Sequence, residues 1–277
     1  MNWYKAKTIL IIFLVVVNIA FFTYIIYDSF QSKKTESTVF NTVIELLDKN
    51  NISIDNTVIE KTDLPQSAKS VYAENIISSY DDFAKLLLGE NVTKTNEGVY
   101  TSESGNATLT FDGDKFEAVV KPGYMLMQSD SNTEPIKTAK KFLTAVGIDI
   151  SDVKYDITGE NGQTIINFYQ QANKYPVFGA GITIITDNGT ITSAKGCWFV
   201  PKNKNHQNNE LKNISGVLID YMNIRQPLSE QCTITDISFG YAMHETDQYH
   251  NEIILTPSWQ ITDNTGKKEL LDAREKL

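Results

Sequence analysis

Cysteine is scarce in this 277-residue chain, which holds only Cys197 and Cys232. Neither lies in a C-x-x-C pair, so the sequence gives no sign of a redox or zinc motif. A disulfide between them would stabilise the fold by about 4 kcal/mol through loop closure. Cys197 begins an apolar stretch with Trp198, Phe199 and Val200, where a buried free thiol is equally natural. We expect both cysteines to be unpaired.

Basic residues are also few. The chain has 25 Lys and Arg against 34 Asp and Glu, with a net charge of −9 at pH 7. It contains no basic cluster, and an acidic surface repels a phosphate backbone. Nucleic acid is therefore not an expected partner. Hydrophobic residues at 41% and aromatic residues at 10% indicate a globular fold rather than a disordered tail.

Sequence signatures of catalysis are missing. There is no G-x-S-x-G elbow, no P-loop and no dinucleotide fingerprint. The three histidines, His206, His244 and His250, lack the H-E-x-x-H spacing of a zinc site, and we interpret residues 244–250 as a solvated loop. Asp112-Gly113-Asp114 lacks the final glutamate of a calcium loop and predicts a hairpin turn. We therefore predict no enzyme activity, no metal and no cofactor.

Charge is absent from Thr8 to Tyr27. At about 1.5 Å of helical rise per residue this run spans about 30 Å, the thickness of a bilayer's hydrocarbon core. The sequence predicts a cytoplasmic N-terminus over residues 1–7, a transmembrane anchor over 8–27 and a linker over 28–36. Lys5 and Lys7 favour this orientation by the positive-inside rule. A cleavable signal peptide is the alternative, but its apolar core would be shorter and would end in a small-x-small site.

Asn18 is the one side-chain amide in the predicted anchor. An amide in hydrocarbon is costly unless it finds a hydrogen-bond partner. One interpretation is contact with another transmembrane helix; the other is a bond within its own helix. The predicted partner-binding face consists of Ile11, Val15, Asn18, Phe22 and Ile25.

The remaining residues predict an α+β ectodomain, in which helices pack on antiparallel sheets. Apolar residues at helical spacing predict helices over Ser37–Lys49, from Ser79 to Gly89, from a Thr133 cap to Gly147, and over Gly216–Arg225. Alternation and turn signals predict strands at Ser53–Glu60, Ser70–Ile77, Ala107–Phe111, Lys115–Val120, Val153–Ile157, Thr164–Gln171, Gly181–Thr186, Ile191–Phe199, Thr233–Tyr241, Glu252–Thr256 and Ser258–Thr262.

A domain boundary is predicted at Ser129–Thr133, which looks like a linker. It divides the ectodomain into residues 37–130 and 131–277. The order of helix and then antiparallel strands repeats, so we interpret the ectodomain as two or three weakly similar α+β units.

Two apolar clusters allow two interpretations each. Residues 124–127 (Tyr-Met-Leu-Met) and 175–179 (Tyr-Pro-Val-Phe-Gly) suit a core or turn position. The first also suits an exposed binding edge, and the second a ligand groove.

Several of these stretches resemble one protein family. Asn2-Trp3-x-Lys5-x-Lys7-Thr8-Ile9 before an aliphatic anchor is similar to the start of YycI proteins. The resemblance continues through Phe168–Gln171, Tyr175–Phe178 and Asp187–Ile191, and it ends with Pro257–Ile261 and Leu270–Ala273. The middle group also looks like PepSY-like modules. Residues 50–130 carry no matching motif.

The resemblance implies regulation rather than catalysis. Members of the YycI family look like membrane-anchored regulators of the WalK/WalR (YycG/YycF) two-component system, which controls cell-wall metabolism. The implied partners are a WalK-like sensor histidine kinase and a YycH-like sister protein, contacted largely through transmembrane helices. The implied location is the cell membrane, with most of the chain extracytoplasmic.

Two other classes of function remain open. One is a PepSY-like inhibitory or chaperone module that acts on an extracellular hydrolase or protease. The other is a ligand-binding sensor domain, which would need a concave pocket.

Overall fold

The computed structural model describes most of the chain beyond residue 37. The described residues are 7, 13–15, 17, 18, 21–23, 38–55, 58, 65, 67–126, 134–151, 153–160, 163–202, 208–225, 231–245 and 252–275. Within them the helices are α1 (residues 38–49), α2 (Tyr80–Leu88), α3 (Pro135–Ala145) and α4 (Ile214–Ile224). The strands are β1 (Ile52–Ile54), β2 (Ser67–Lys69), β3 (Val71–Asn75), β4 (Thr93–Asn96), β5 (Val99–Thr101), β6 (Ala107–Asp112), β7 (Lys115–Val120), β8 (Lys154–Glu160), β9 (Gln163–Ala172), β10 (Tyr175–Asp187), β11 (Thr190–Cys197), β12 (Phe199–Pro201), β13 (Asn208–Glu210), β14 (Cys232–Glu245), β15 (Glu252–Asp263) and β16 (Lys268–Asp272).

Helix ends follow local capping signals. Ser78 and Ser79 are both possible caps of α2 by sequence, and Ser79 takes the position by accepting a hydrogen bond from the Asp82 N–H. Gly89 ends the helix as predicted, with a φ of 99°. The predicted Thr133 cap of α3 is wrong: Glu134 takes the N-cap position before Pro135, and Thr133 lies outside the described residues. α4 begins at Ile214, two residues before the predicted start at Gly216. The Asn213 side chain caps its first turn by accepting a hydrogen bond from the Gly216 N–H.

Fourteen of the strands form one hydrogen-bonded network with two parts. The wide sheet runs in the order β8-β9-β10-β11-β7-β6-β5-β4 and is antiparallel throughout. The narrow sheet has β14 and β15 at its centre, with β3 and β16 beside β15, β12 beside β3, and β1 parallel to β14. The prediction of an α+β fold with mainly antiparallel sheets is therefore confirmed.

β10 joins the two parts. Its first half meets β14 at Val177, while its second half pairs with β9 and β11 from Gly181 onward. The predicted strand Gly181–Thr186 misses the first part of β10. Asn173 and Lys174 both have positive φ, 49° and 72°, which is the geometry of a two-residue hairpin turn. Tyr175 and Pro176 consequently belong to β10.

β15 is continuous where the sequence predicted two strands. Pro257 lies inside it, opposite Tyr241 of β14. The Pro257 carbonyl accepts from the Ala273 N–H, on the side where β15 changes partner from β3 to β16. The N–H that proline lacks would point to the same side, so the ladder to β14 loses nothing.

Two helix-covered cores and a junction hold the molecule together. α2 and α3 cover one face of the wide sheet with Phe83, Ala139, Phe142 and Leu143, among others. α1 and α4 cover the narrow sheet in the same way, over Phe239, Trp259 and Ile261. A third cluster lies where β10 joins the sheets and contains Val71, Ala73, Val177, Cys197, Phe199, Tyr241 and Leu255.

Strands from both sides of residue 130 contribute to both sheets. β7 pairs with β11 in the wide sheet, and β3 pairs with β15 in the narrow sheet. The predicted linker, Ser129–Thr133, lies outside the described ranges. The division at residue 130 stays a prediction, and the two sheets are the natural units for describing the site.

Candidate interaction surfaces

The residues of the predicted membrane face are only partly described. The Asn18 amide donates to the Leu14 carbonyl at 2.8 Å, a bond within its own helical segment. Val15 and Phe22 are exposed, whereas Ile11 and Ile25 lie outside the described residues. A side-chain amide has a second N–H and an acceptor oxygen, so this bond leaves room for a partner helix. No helix in the described part of the chain is long and apolar enough to cross a membrane.

The open face of the wide sheet carries a row of polar side chains. Strand register places Asp156, Asn167, Thr183 and Lys195 side by side on β8, β9, β10 and β11, and Glu117 of β7 continues the row. On β9, β10 and β7 the neighbours of these residues, such as Phe168, Ile182 and Phe116, are buried in the core that α2 and α3 cover. Sequence analysis predicted the strands but missed this row. The sequence signal that could have revealed the row is the alternation of polar and apolar residues within each strand.

Three hydrogen bonds fix part of this row. The Tyr169 hydroxyl donates to Asp156 Oδ2 at 2.6 Å, and Asn167 Nδ2 donates to Asp156 Oδ1 at 2.8 Å. The Thr183 hydroxyl donates to Asn167 Oδ1 at 2.8 Å. The bond from Tyr169, with that from Asn167, lowers the pKa of Asp156, and the same contact raises the pKa of the Tyr169 phenol. Near neutral pH Asp156 is therefore ionised and held in place by these two donors.

A groove of about 850 Å³ lies beside the junction, lined by the loop after α3 and by parts of β9 and β12. Gln170, at its base, is 2% exposed. Gln170 Oε1 accepts from the Phe199 N–H at 3.0 Å, and Nε2 donates to the Phe199 carbonyl. The Gln170 amide thus makes the two backbone hydrogen bonds to Phe199 that a neighbouring strand would make at the edge of β12. On the rim, the Ser151 N–H and hydroxyl lower the pKa of Asp149.

The narrow sheet contains a buried polar cluster. Asp263 Oδ1 accepts from the Thr265 N–H at 2.9 Å, the Thr265 hydroxyl at 2.6 Å and the Lys267 N–H at 3.0 Å. Its other oxygen pairs with Arg225, and the Asp263 side chain is 0% exposed. Arg225 also lies 5.6 Å from the centre of the Tyr221 ring. These bonds tie the end of α4 to the turn between β15 and β16.

Both cysteines are unpaired and buried. Cys232 lies 3.5 Å from the Tyr221 hydroxyl, and burial raises the pKa of that phenol. Burial also raises the pKa of Cys197, the reverse of what a nucleophilic thiolate requires. In the described ranges, histidine, cysteine and carboxylate side chains form no group that could hold a metal ion.

The two apolar clusters take different positions. Val177 and Phe178 are buried at the junction, which confirms their prediction as core. Leu126 packs on the wide-sheet core, and its N–H bonds the Ile191 carbonyl. Tyr124 and Met125 are about half exposed, at 50% and 46%.

Asp112-Gly113-Asp114 forms the predicted hairpin turn between β6 and β7.

The chain is similar to one protein family and to several solved structures. A model of the YycI protein family matches residues 30–274. Curated protein sequences give no match. Among solved structures, an uncharacterized protein from Eubacterium rectale is 11% identical at a TM-score of 0.49, over 76% of this chain and 87% of its own.

Two further solved structures are similar at lower TM-scores. YycH from Bacillus subtilis is 18% identical at 0.43, over 73% of this chain and 52% of its own. The C-terminal domain of Bacillus megaterium YpeB is 11% identical at 0.29, over 70% of this chain and 96% of its own. Because the family model spans most of the sequence, the chain belongs to the YycI family.

Proposed function

We propose that this chain is a membrane-anchored, non-enzymatic regulator of a sensor histidine kinase in the two-component system that controls cell-wall metabolism. The family match over residues 30–274 carries the proposal. The kinase would be WalK-like, and a YycH-like sister protein would be a second partner. Regulation of a kinase requires a contact whose free energy differs between the kinase's two signalling states.

The proposed layout places residues 1–7 in the cytoplasm, 8–27 in the membrane and 28–36 in a linker. Residues 37–130 and 131–277 form the two parts of the extracytoplasmic region, as PepSY-like and YycH-like repeated units. The uncharged run from Thr8 to Tyr27 supports the anchor, because its length suits a bilayer.

The contact with the kinase is proposed to run along Ile11, Val15, Asn18, Phe22 and Ile25. Asn18 is the polar member of this face, and an interhelical hydrogen bond in a membrane contributes about 0.6–2 kcal/mol. Its removal would therefore weaken association about threefold to thirtyfold.

Co-purification from membranes tests the proposal. The full chain is compared with a version whose residues 8–27 are replaced by an unrelated transmembrane helix, with the co-encoded histidine kinase as the captured partner. We expect the replacement to abolish capture and Asn18→Leu to weaken it. Phe13→Leu, an apolar exchange on the far side of the same helix, is the matched control and should retain full capture.

Other results would redirect the proposal. Equal capture by the wild type and the replaced helix would move the contact to the extracytoplasmic part. Failure of both to capture the kinase would contradict kinase regulation and favour the module acting on a hydrolase or protease.

A further inference from the structure

The two outer strands of the wide sheet differ in how well they are protected. β4 has four residues, Thr-Lys-Thr-Asn, all polar and exposed. β8 has seven residues and, within the described residues, pairs only with β9. An unpaired edge is a template for another strand, and natural proteins blunt it with short length, charge or proline. β4 follows this rule through its short length and exposed polar side chains. β8 is longer, contains no proline and carries charges of both signs, at Lys154, Asp156 and position 160.

β8 also carries apolar side chains that are only partly buried. Tyr155 and Ile157 pair with Phe168 and Ile166 of β9, so they lie on the helix-covered face. Their partners are 1% and 0% exposed, but Tyr155 and Ile157 are 43% and 49% exposed. Lys140 of α3 lies 4.9 Å from the centre of the Tyr155 ring, but about half of Ile157 stays exposed. The apolar layer under α3 therefore reaches the sheet edge and is only partly covered there. A strand added beside β8 would extend that layer.

We propose that the occupant of this edge is β8 of a second copy of the chain, paired antiparallel about a two-fold axis at Ile157. A two-fold axis normal to the sheet places the helix-covered faces of both copies on the same side. Residues that face each other across the pair must therefore have numbers that differ by an even value. The axis then lies midway between one residue and its own copy, so this residue faces itself across the strand pair. This inference is independent of the proposed kinase contact.

Strand length and charge together select the register, because an axis at Ile157 is the one that pairs all seven residues of β8 with β8 of the copy. An axis at Asp156 would place this aspartate opposite its own copy, and an axis at Thr158 would place it opposite position 160, a glutamate. Like charges that face each other across a strand pair are destabilising. An axis at Ile157 instead pairs Lys154 with position 160, and it does so twice in each dimer.

The other pairs in this register are also compatible. Ile157 meets Ile157 on the axis, and Asp156 meets Thr158. Tyr155 meets Gly159, where a Cβ would have no neighbour nearer than 3.8 Å, so the ring has space over the glycine backbone. The result is one continuous sheet through both copies, with the two α3 helices on the same face.

Cysteine cross-linking of the full chain in membranes tests the axis. Ile157→Cys places a thiol opposite itself, within the reach of a disulfide, while the native Cys197 and Cys232 are 1% and 5% exposed. Thr95→Cys, on the opposite outer strand, is the matched control for random collisions. We expect about fivefold more disulfide-linked dimer from Ile157→Cys. Equal yields, or a cross-link of Ile157→Cys only to a protein of another mass, would overturn the proposal.

A charge exchange tests the register. Lys154→Glu is expected to weaken dimer formation about tenfold, because two carboxylate pairs would then face each other. Adding Glu160→Lys restores opposite charges and is expected to restore the dimer. Sedimentation of the full chain in detergent measures both. An unchanged dimer in Lys154→Glu, or no recovery in the double variant, would refute this register.

Discussion

In the wide sheet, Asp156 lies on the face that the helices leave open, whereas in the narrow sheet Asp263 lies inside the structure at 0% side-chain exposure. Both carboxylates have hydrogen bonds from several side chains or backbone groups. Water can replace the partners of the first but cannot reach the second. The same residue type therefore has different surroundings in the two sheets: solvent in one, and buried partners that depend on it in the other.

The largest expected effect comes from Asp263→Ala. It leaves Arg225 buried without its countercharge and removes the acceptor for Thr265 and Lys267, so we expect a loss of about 3–5 kcal/mol in the free energy of unfolding. Denaturant titration followed by circular dichroism measures it. Asp156→Ala is the control and should cost much less, because water can replace the partners of an exposed carboxylate. Equal losses in both variants would contradict the contrast between the sheets.

A smaller effect is expected at the junction of the sheets. Gln170→Ala removes the amide that satisfies the Phe199 N–H and carbonyl, and we expect it to cost about 2–3 kcal/mol. Hydrogen exchange should show faster exchange at the Phe199 amide. Gln171→Ala, at the half-buried neighbouring position, is the control. Unchanged protection of Phe199 in Gln170→Ala would show that β12 does not depend on this amide.

The smallest expected effect on stability comes from Tyr169→Phe. Loss of the hydroxyl should raise the pKa of Asp156 towards its ordinary value of 3.8, while stability near neutral pH stays almost unchanged. A lowered folded pKa gives stability that is present above the unfolded pKa and is lost as pH falls through the folded value. The variant should therefore lose less stability on acidification.

NMR titration of the Asp156 carboxyl carbon measures this shift. Tyr155→Phe, on the neighbouring strand but on the opposite face, serves as the control and should leave the pKa of Asp156 in place. If Tyr169→Phe also leaves it in place, the hydroxyl is not the main cause of the lowered pKa.

Local signals in the sequence predicted most helices and strands. The Ser79 cap, the Gly89 end and the turn at Asp112–Asp114 each depend on residues within one or two turns of chain, so they could be read directly. The errors at Pro257 and at Tyr175-Pro176 have a common cause. Proline interrupts a strand only if its missing N–H faces a partner, and that depends on strands distant in sequence.

The candidate surfaces were much harder to predict. The polar row requires the register between β8, β9, β10 and β11, because a shift of one residue would turn its members to the other face. The exposure of Tyr155 and Ile157 depends on where α3 ends above the sheet, which apolar periodicity does not report. The predicted membrane face, by contrast, came from a contiguous run of sequence and stays a prediction.

The pairing of β1 with β14 and of β3 with β15 has a consequence for synthesis. The strands of the wide sheet lie between Thr93 and Cys197, so they can pair while the C-terminal part is still being made. β1 emerges earlier but must wait for its partner at residues 232–234. β3 can pair with β12 on one side but must wait for residues 252–255 on the other. Such distant contacts form late in folding. The first strand to be made is thus among the last to be paired, and premature termination before β14 would leave β1 without its partner and β3 with β12 alone.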